Sequence, residues 1–254
     1  MTLSIVAYGK QKDVINCIRS IKQFVPEGVV SKIYVIDNAA SEHPGRAEGF
    51  RGALERLEGV YYVNPGKNLG FGAGHNYVLG ELDSEYHAIV NPDITLTGDA
   101  LSAIKAYMDE NPDVGMVIPR ITDEDGELLK VYRRNPTPWD MFIRMFVPVG
   151  FKKRKAYHTM GEMDYSRPFR VPFGQGSFLV IRTELYRRLG GFDPRFFLYM
   201  EDADLCRRVN EVSKLMYFPG ASVVHRWERG SHKSLRLFTE HVKSMIKYFR
   251  KWKA

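Results

Sequence analysis

The chain has 254 residues, of which 44% are hydrophobic and 26% are charged, a globular composition with enough length for one sizeable core. Its two cysteines, Cys17 and Cys206, exclude a disulfide framework and a cysteine-rich zinc site, and they suit a reducing cytoplasm. The net charge of +7 arises within residues 225–254, where nine Lys or Arg accompany two Glu, so a basic face for nucleic acid is not expected.

Residues 1–8 lack the basic region of a signal peptide, and we interpret them as a first β-strand instead. No apolar run approaches the ~20 residues that a membrane-spanning helix needs. The longest run, residues 139–151, is interrupted by Arg144 and Pro148. We therefore expect a cytoplasmic chain.

Short runs of β-branched and aromatic residues predict strands that alternate with helices. One helical segment has Val14, Ile18 and Ile21 on one face, and another has Asp99 as its cap. The alternation implies crossovers and a mostly parallel sheet with helices on both sides, and ligands bind such sheets at the carboxyl ends of the strands. The predicted strands are residues 3–8, 32–37, 60–64, 86–91 and 114–118.

From residue 120 to residue 170 the pattern weakens into turns, aromatic residues and basic clusters. We predict that this segment, called the excursion below, passes over the active-site face and is not a second domain. Regular patterns return with a strand at 174–182 and a helix at 183–189. An aromatic run then leads to the acidic cluster Glu201, Asp202 and Asp204.

The first motif is Val-Ile-Asp-Asn, residues 35–38, in which a hydrophobic strand presents Asp37 at its exposed end. A carboxylate there can accept a hydrogen bond from the imide N–H of uracil or thymine. The alternative is a strand-end turn or a helix cap.

The second motif is the glycine-rich stretch at residues 68–76. Its three glycines allow a backbone to approach a ligand, and the following helix can present its N-terminus to a pyrophosphate. It does not match the dinucleotide fingerprint, because His75 and Tyr77 stand where that pattern needs glycine. A flexible loop is the alternative.

The third motif is Asn91-Pro92-Asp93, directly after a predicted buried strand. A carboxylate held by a proline turn suits Mg²⁺ or Mn²⁺ bridging a diphosphate. The metal would offset charge developing on a leaving nucleotide diphosphate. An ordinary Asn-Pro-Asp turn is the alternative.

The acidic cluster suits a general base, since replacing an anomeric nucleotide by a sugar hydroxyl needs a base opposite the leaving group. Crowded carboxylates raise at least one apparent pKa of the group. Alternatively, the acids stabilise the positive end of a helix. Late in the chain, His225 can complete a metal site as a neutral imidazole or serve a structural role.

Taken together and in order, these elements resemble the family-2 glycosyltransferases of the GT-A fold, most closely the bacterial rhamnosyltransferase branch. The resemblance covers nearly the whole chain. The motifs that carry it are the strand at residues 4–8, Val-Ile-Asp-Asn, Asn-Leu-Gly-Phe-Gly-Ala-Gly-His-Asn, Asn-Pro-Asp, Gly-Gln-Gly-Ser-Phe-Leu-Val-Ile-Arg, Gly-Gly-Phe-Asp-Pro-Arg-Phe-Phe-Leu-Tyr-Met-Glu-Asp-Ala-Asp-Leu and Val-Val-His.

The resemblance implies an α/β, Rossmann-like GT-A domain in which Asp37 reads the pyrimidine and Asp93 and His225 bind Mg²⁺ or Mn²⁺. It implies that Asp202 is the catalytic base, with Glu201 beside it touching acceptor or donor sugar. Asn91 replaces the first acid of the usual Asp-x-Asp motif, which makes weak or conditional metal dependence credible. Further donor-site residues implied by the resemblance are Ala7, Tyr8, Asn38, Asn68, Gly72, Asn76, Asn91 and Pro92. The resemblance also implies that Gly174 to Ser177 line the donor-sugar and acceptor pocket.

The basic tail repeats apolar residues at three- and four-residue spacing, with Lys and Arg on the other side. Such a helix can lie on an anionic inner leaflet, where a lipid-linked acceptor would be presented. We therefore expect a protein peripheral to the inner face of the cell membrane. The alternative is a terminal helix packed on the domain. A second surface contact is expected from Trp139, Phe142, Phe146 and Phe151.

The leading hypothesis is inverting transfer of L-rhamnose from dTDP-rhamnose, with a UDP-sugar as the other donor class, to a lipid-linked or polysaccharide acceptor of bacterial surface glycan synthesis. The expected GT-A domain spans residues 1–233, with a nucleotide-binding half at 1–118 and an acceptor and catalytic half at 119–233. A basic amphipathic helix follows at 234–254. A non-catalytic subunit that binds nucleotide sugar or glycan is the alternative. A nucleotidyltransferase is disfavoured, because residues 7–12 lack its glycine-rich, arginine-containing entry.

Overall fold

A computed structural model describes residues 1–147, 149–226 and 235–253. The strands are β1 (Thr2–Ala7), β2 (Lys32–Asp37), β3 (Val60–Val63), β4 (Tyr86–Val90), β5 (Ile94–Leu96), β6 (Val114–Thr122), β7 (Tyr132–Arg133), β8 (Phe169–Arg170), β9 (Phe173–Gly174), β10 (Phe178–Arg182) and β11 (Lys214–His225). The helices are α1 (Gln11–Phe24), α2 (Pro44–Leu54), α3 (Phe71–Asn76), α4 (Ala100–Glu110), α5 (Pro138–Phe146), α6 (Lys152–His158), α7 (Thr183–Arg188), α8 (Glu201–Val212) and α9 (Leu235–Trp252).

The central sheet has the strand order β3-β2-β1-β4-β10-β6-β11-β5, and β8 pairs with β11 at Met216 and Tyr217. The predicted parallel arrangement holds for β3, β2, β1 and β4 and for the pair β6 and β11. In contrast, β10 is antiparallel to both β4 and β6. The chain leaves the sheet at the carboxyl end of β6 and makes the excursion. It then re-enters the sheet at that same end, so that β10 runs antiparallel to β6. Helices flank this mixed sheet, as expected for the α/β class.

The core lies between the sheet and its helices. Every residue of β1 is buried, as a strand covered on both faces requires. The predicted apolar face of α1 packs against the sheet through Val14, Ile18 and Ile21, which are at most 1% exposed. Full burial of each such side chain contributes roughly 1.5–3 kcal/mol. As predicted, Asp99 caps α4, because its Oδ1 accepts a hydrogen bond of 3.0 Å from the Ser102 amide.

Two predicted segments differ in detail from the structure. The strand expected at 174–182 is two strands, β9 and β10, separated by a turn in which the Ser177 amide donates to Gln175 O. The excursion contains regular elements of its own. Its strand β7 pairs with β9, which lies just after the excursion, and Thr137 and Asp140 form a capping box at the start of α5. Local patterns gave no signal for β7, because its partner strand lies far along the chain, whereas the capping box of α5 is a local pattern that the sequence interpretation did not use.

The C-terminal helix α9 packs on the domain along one side. Ser244 Oγ donates to Leu198 O at 2.8 Å, and Trp252 Nε1 donates to Asp204 Oδ1 at 3.0 Å. Lys251 Nζ lies 2.6 Å from the same carboxylate. Asp204 thus holds α9 to α8, so this member of the acidic cluster has a structural role.

Some predicted features lie outside the described residues, namely Pro148, the side chain of Phe146, residues 227–234 with the expected domain end at 233, and residue 254. Within the described ranges, no helix combines the length and apolarity that crossing a membrane requires.

Candidate active site

The strands β1, β2 and β4 end side by side, and this part of the sheet is called the carboxyl edge below. Ala7 pairs with Asp37 in the register of β1 and β2, and β1 also pairs with β4. Asn91 to Asp93 follow β4 directly. The polar residues that end β2 and β4 therefore lie at one edge of the sheet.

Asp37 is buried at the end of β2, with only 4% of its surface exposed. Its Oδ1 accepts a hydrogen bond from the Ala39 amide at 3.0 Å, and its Oδ2 accepts one from the Tyr62 hydroxyl at 3.1 Å. Burial, together with this carboxylate, raises the pKa of Tyr62 to about 12. A small cleft beside Asp37 is lined by Gly9, His43 and Arg46. Contact of Asp37 with a pyrimidine stays a prediction.

Tyr8 differs from Ala7 in its surroundings. Ala7 is fully buried, whereas Tyr8 is 53% exposed and donates a hydrogen bond of 2.9 Å to Glu42. The tyrosine ring therefore lies at the open surface next to the cleft. Of these two residues, only Tyr8 presents a side chain to solvent.

The glycine-rich motif joins the carboxyl edge to the segment at residues 190–200, called the aromatic loop below. Asn38 Nδ2 donates to Gly70 O at 2.8 Å, and the Phe71 amide donates to Phe197 O at 3.0 Å. Gly70 has φ +80, and a Cβ there would lie 2.0 Å from Phe197 O. Only glycine fits this close backbone approach.

Asn76 and Gly72 complete this junction. The Asn76 side chain donates to Phe192 O at 2.7 Å and accepts from the Phe192 amide at 2.8 Å. A Cβ on Gly72 would lie 2.7 Å from Phe192 Cβ, and Asn68 Oδ1 accepts from the Gly70 amide at 3.0 Å. These contacts fix the aromatic loop, so the motif packs closely; its contact with a donor stays a prediction.

The metal candidates Asp93 and His225 lie together, as predicted. Pairing of β11 with β5 places His225 opposite Ile94, and His225 Nε2 is 3.1 Å from Asp93 Oδ1. Lys10 Nζ is 3.8 Å from Asp93 Oδ2. Burial opposes ionisation of Asp93, but its hydrogen bond with His225 and the charge of Lys10 outweigh burial and lower the pKa of the carboxyl.

The residues present suit a divalent cation that is shared with a ligand. A carboxylate oxygen and an imidazole nitrogen converge, and His225 Nδ1 is buried with no hydrogen-bond partner in the described chain. Among the described residues, no group of three His, Cys, Asp or Glu side chains would hold a metal. A cation here therefore needs further oxygen ligands, such as those of a diphosphate.

The acid pair, Glu201 and Asp202, begins α8 directly after two residues with a strained backbone. Tyr199 and Met200 both have φ +69, a left-handed conformation that costs roughly 1–2 kcal/mol per non-glycine residue. Such strain concentrates at functional sites. Glu201 follows with 4% exposure and with Oε2 unpaired in the described chain. Burial first, and then the neighbouring Asp202, raise the pKa of Glu201 to about 8.

Asp202 is tied to the turn between β9 and β10. Its Oδ2 accepts from the Gly176 amide at 3.1 Å, and its Oδ1 accepts from the Ala203 amide at 2.8 Å. Burial raises the pKa of Asp202 despite these hydrogen bonds. The Asn91 amide donates to Ser177 O at 2.8 Å, so one short turn links the metal candidates to the acid pair.

Some of the unpaired buried polar atoms of the described residues belong to this turn and to the acid pair. Within the described residues, Ser177 Oγ, Gln175 Oε1 and Glu201 Oε2 have no hydrogen-bond partner. Buried polar groups are normally paired, so these atoms are suited to hydroxyl groups of a bound ligand. Gly174 contributes differently, since its carbonyl accepts from Cys206 and a Cβ there would meet Ile118.

Sequence reasoning missed two residues at this site, Lys10 and Arg133. Gln175 lies within the range 174–177 that the resemblance implies for the sugar pocket. Lys10 is far from Asp93 in the sequence, and only the fold brings the two together. Arg133 gave no local signal, because only pairing of β7 with β9 brings it to the site.

A model of the family described as "Glycosyl transferase family 2" matches residues 2–190. The N-acetylglucosaminyl-diphospho-decaprenol L-rhamnosyltransferase of Mycobacterium tuberculosis is 28% identical over 210 residues, which cover 76% of this chain and 66% of that protein. Rhamnosyltransferase WbbL of Escherichia coli is 27% identical over 203 residues, which cover 76% of this chain and 75% of WbbL. The chain thus spans about two thirds of the length of the mycobacterial relative.

Solved structures share the fold at low sequence identity. GalNAc-T7 with UDP, GalNAc and Mn²⁺ has a TM-score of 0.64 and 16% identity, covering 90% of this chain and 43% of that one. The mannosyltransferase PcManGT of Pyrobaculum calidifontis, in complex with GDP-Man and Mn²⁺, has a TM-score of 0.62 and 18% identity, covering 98% and 64%. These neighbours are GT-A glycosyltransferases, and the expected GT-A fold is confirmed.

Proposed function

The chain belongs to glycosyl transferase family 2, and we propose that it transfers L-rhamnose, with inversion, from a nucleotide diphosphate donor to a lipid-linked acceptor. Two relatives named as rhamnosyltransferases support the sugar, and the name of the mycobacterial one includes a diphospho-decaprenol acceptor. One observation carries the proposal. The Gly176 amide and Ser177 carbonyl connect the acid pair of α8 with the Asn91 to Asp93 turn.

Asp202 is the base in this proposal. The acceptor hydroxyl oxygen forms a bond to the anomeric carbon, the bond from that carbon to the donor phosphate oxygen breaks, and the hydroxyl proton passes to Asp202. The raised pKa of Asp202 makes it a better proton acceptor than a solvent-exposed carboxylate. The amides of Gly176 and Ala203 hold the carboxylate in one orientation.

Glu201 has a different task. With a pKa of about 8 it carries a proton at neutral pH, so it donates a hydrogen bond from a buried position. The unpaired Oε2 would contact a hydroxyl of the bound sugar. Holding this proton also keeps the pair from carrying two negative charges at adjacent positions.

Asp93 and His225 would hold a divalent cation, which when bound supplies positive charge to the departing diphosphate. Structural neighbours with Mn²⁺ support the use of a divalent ion. Lys10 stands beside Asp93 and adds a permanent positive charge. Because Asn91 stands where the family carries an acid, we propose a metal requirement that is conditional rather than absolute.

A donor screen tests the proposal. Purified protein is incubated with dTDP-rhamnose or with UDP-sugars, with and without Mn²⁺, and with a short-chain prenyl diphosphate N-acetylglucosamine acceptor. Product is measured by mass spectrometry. Transfer from dTDP-rhamnose that Asp202→Asn abolishes is the expected result, whereas equal turnover by the variant refutes the base assignment.

We also propose that the protein sits at the inner face of the cell membrane. The described face of α9 away from the domain carries exposed basic residues and exposed Leu235 and Ile246. Exposed Trp139 stacks on Phe142 at 5.4 Å and meets Phe151 edge-on at 5.9 Å, which supports a second contact. The non-catalytic alternative is not favoured, because it gives the buried acid pair no task.

A further inference from the structure

Arg133 is a buried cation for which the described chain supplies no anionic partner at contact distance. Only 7% of its surface is exposed. Its Nη2 donates one hydrogen bond, of 3.3 Å, to Lys130 O, and its guanidinium lies 5.8 Å from the centre of the Phe173 ring. A guanidinium has five N–H donors. Because buried charges are normally paired, the remaining donors point to a ligand.

The surroundings of Arg133 are positive. Arg144 of α5 repels it, and burial together with this repulsion lowers the pKa of Arg133 to about 9, although Asp202 attracts it. The carboxylate of Asp140 on the same helix is already paired, with Arg154 Nε 2.6 Å from its Oδ1. His158 lies 3.8 Å from Asp140 and has its pKa lowered to about 4 by burial, so at neutral pH it adds no charge. Two arginines thus act on one nearby carboxylate, Asp202.

This positive group lies beside the base. Arg133 faces Phe173 in the ladder of β7 and β9, the Gln175 amide donates to Val131 O, and the Gly176 amide donates to Asp202. The turn at residues 175–177 therefore contacts the segment that contains Arg133 and also contacts the base, Asp202. The cation candidates Asp93, His225 and Lys10 belong to the turn after β4 and are a separate group.

We propose that Arg133 and Arg144 bind the diphosphate of the acceptor while its sugar hydroxyl lies at Asp202. This inference rests on the proposed function and names the part of the acceptor that is recognised. In an inverting reaction the base lies on the face opposite the leaving group, so cations next to the base meet the acceptor. When a single sugar separates hydroxyl from diphosphate, the two groups are one ring apart, and guanidinium groups suit phosphate oxygens.

Binding of farnesyl diphosphate tests the assignment without requiring any sugar to be known. Its Kd is measured by calorimetry with the protein saturated by the nucleoside diphosphate that binds best, so that the donor site is filled. The variants are Arg133→Lys, Arg133→Gln and Arg144→Gln. Lys153→Gln is the matched control, because it removes an exposed positive charge from the neighbouring α6. Circular dichroism verifies that each variant is folded.

The expected result is measurable binding to the saturated wild type and at least about tenfold weaker binding after Arg133→Gln and Arg144→Gln. Arg133→Lys retains part of the affinity, and Lys153→Gln leaves it unchanged. No binding to the saturated wild type would overturn the inference. So would variants that lose nucleotide affinity instead, because the pair would then serve the donor. Arginine-dependent binding of farnesyl diphosphate would support this inference even if no sugar transfer is found. Failure of this inference is therefore distinguishable from failure of the proposed function.

Discussion

At the scale of single residues, the two acids at the start of α8 differ in their hydrogen bonds, and the tasks proposed for them follow from that difference. Asp202 receives two backbone amide hydrogen bonds, which favour its charged form, whereas Glu201 has Oε2 buried and unpaired among the described residues. In the proposed mechanism, Asp202 is therefore the carboxylate that accepts a proton, and Glu201 is the one that keeps its proton. Since the two titrate together, measured pKa values belong to the pair.

Asp202→Asn should lower kcat by about 10²–10⁴-fold, the usual contribution of a general base. The change is nearly isosteric, so the Kd of the nucleotide should stay within about twofold of wild type. Steady-state kinetics and calorimetry measure the two quantities. Asp125→Asn, which removes an exposed carboxylate in the loop after β6, is the control. Unchanged kcat in the Asp202 variant would show that another group takes the proton.

Activity should have an alkaline limit set by Glu201. In the proposed mechanism the active form has Asp202 ionised and Glu201 protonated. We therefore expect kcat/KM to rise as Asp202 loses its proton and to fall above the pKa of Glu201, about 8. Glu201→Gln keeps a neutral hydrogen-bond donor at all pH values. In that variant the decline above pH ~8 should disappear, and persistence of the same decline would assign it to another group.

At the scale of elements, the glycine-rich motif fixes the position of the acid pair rather than acting as an isolated loop. Gly70 touches Phe197, and Asn76 binds both backbone polar groups of Phe192. Both contacts belong to the aromatic loop, which leads directly into α8. Displacement of this junction would therefore displace Glu201 and Asp202.

Gly70→Ala should destabilise the fold by more than about 3 kcal/mol, because strain from the positive φ adds to a clash with Phe197 O. Gly66→Ala is a matched control. Gly66 has φ +76, but a Cβ added there would meet no atom within 4 Å, so the substitution should cost only about 1 kcal/mol. Urea unfolding gives both values. Equal costs would mean that the Phe197 contact is unimportant.

Prediction from sequence was accurate where a pattern is local. The strand at 32–37 and the cap at Asp99 were predicted as observed, because strand composition and capping depend on neighbouring residues. The break at residues 175–177 and the burial of Arg133 were not, since both depend on β-pairing across the excursion. Proximity of Asp93 to His225 came from the family resemblance, as 132 residues separate them.

At the scale of the whole molecule, the charge excess and the site lie on different elements. The exposed basic side chains of the described part of α9 extend from a helix that Asp204 and Leu198 hold on the domain. A positive surface attracts anionic lipid, and it would bring the site to an acceptor embedded in the membrane. Association and chemistry should therefore be separable by mutation.

The double variant Lys243→Glu and Arg250→Glu should bind anionic vesicles at least about tenfold more weakly, since each juxtamembrane basic residue contributes ≈ 1 kcal/mol. Both side chains are exposed, so folding should be unaffected. Lys22→Glu with Arg56→Glu changes net charge equally at exposed positions elsewhere and should keep the wild-type affinity. Vesicle co-sedimentation measures the affinity of each variant for anionic vesicles. An equal loss of affinity in both double variants would show that only net charge matters.

The most direct measurement is the anomeric configuration of the product formed from dTDP-rhamnose and a short prenyl diphosphate N-acetylglucosamine, determined by NMR. We predict one rhamnose per acceptor, with the configuration opposite to that of the donor, and no product with Asp202→Asn. A product that retains the configuration of the donor, or no transfer from any nucleotide sugar with Mn²⁺ present, would contradict the account.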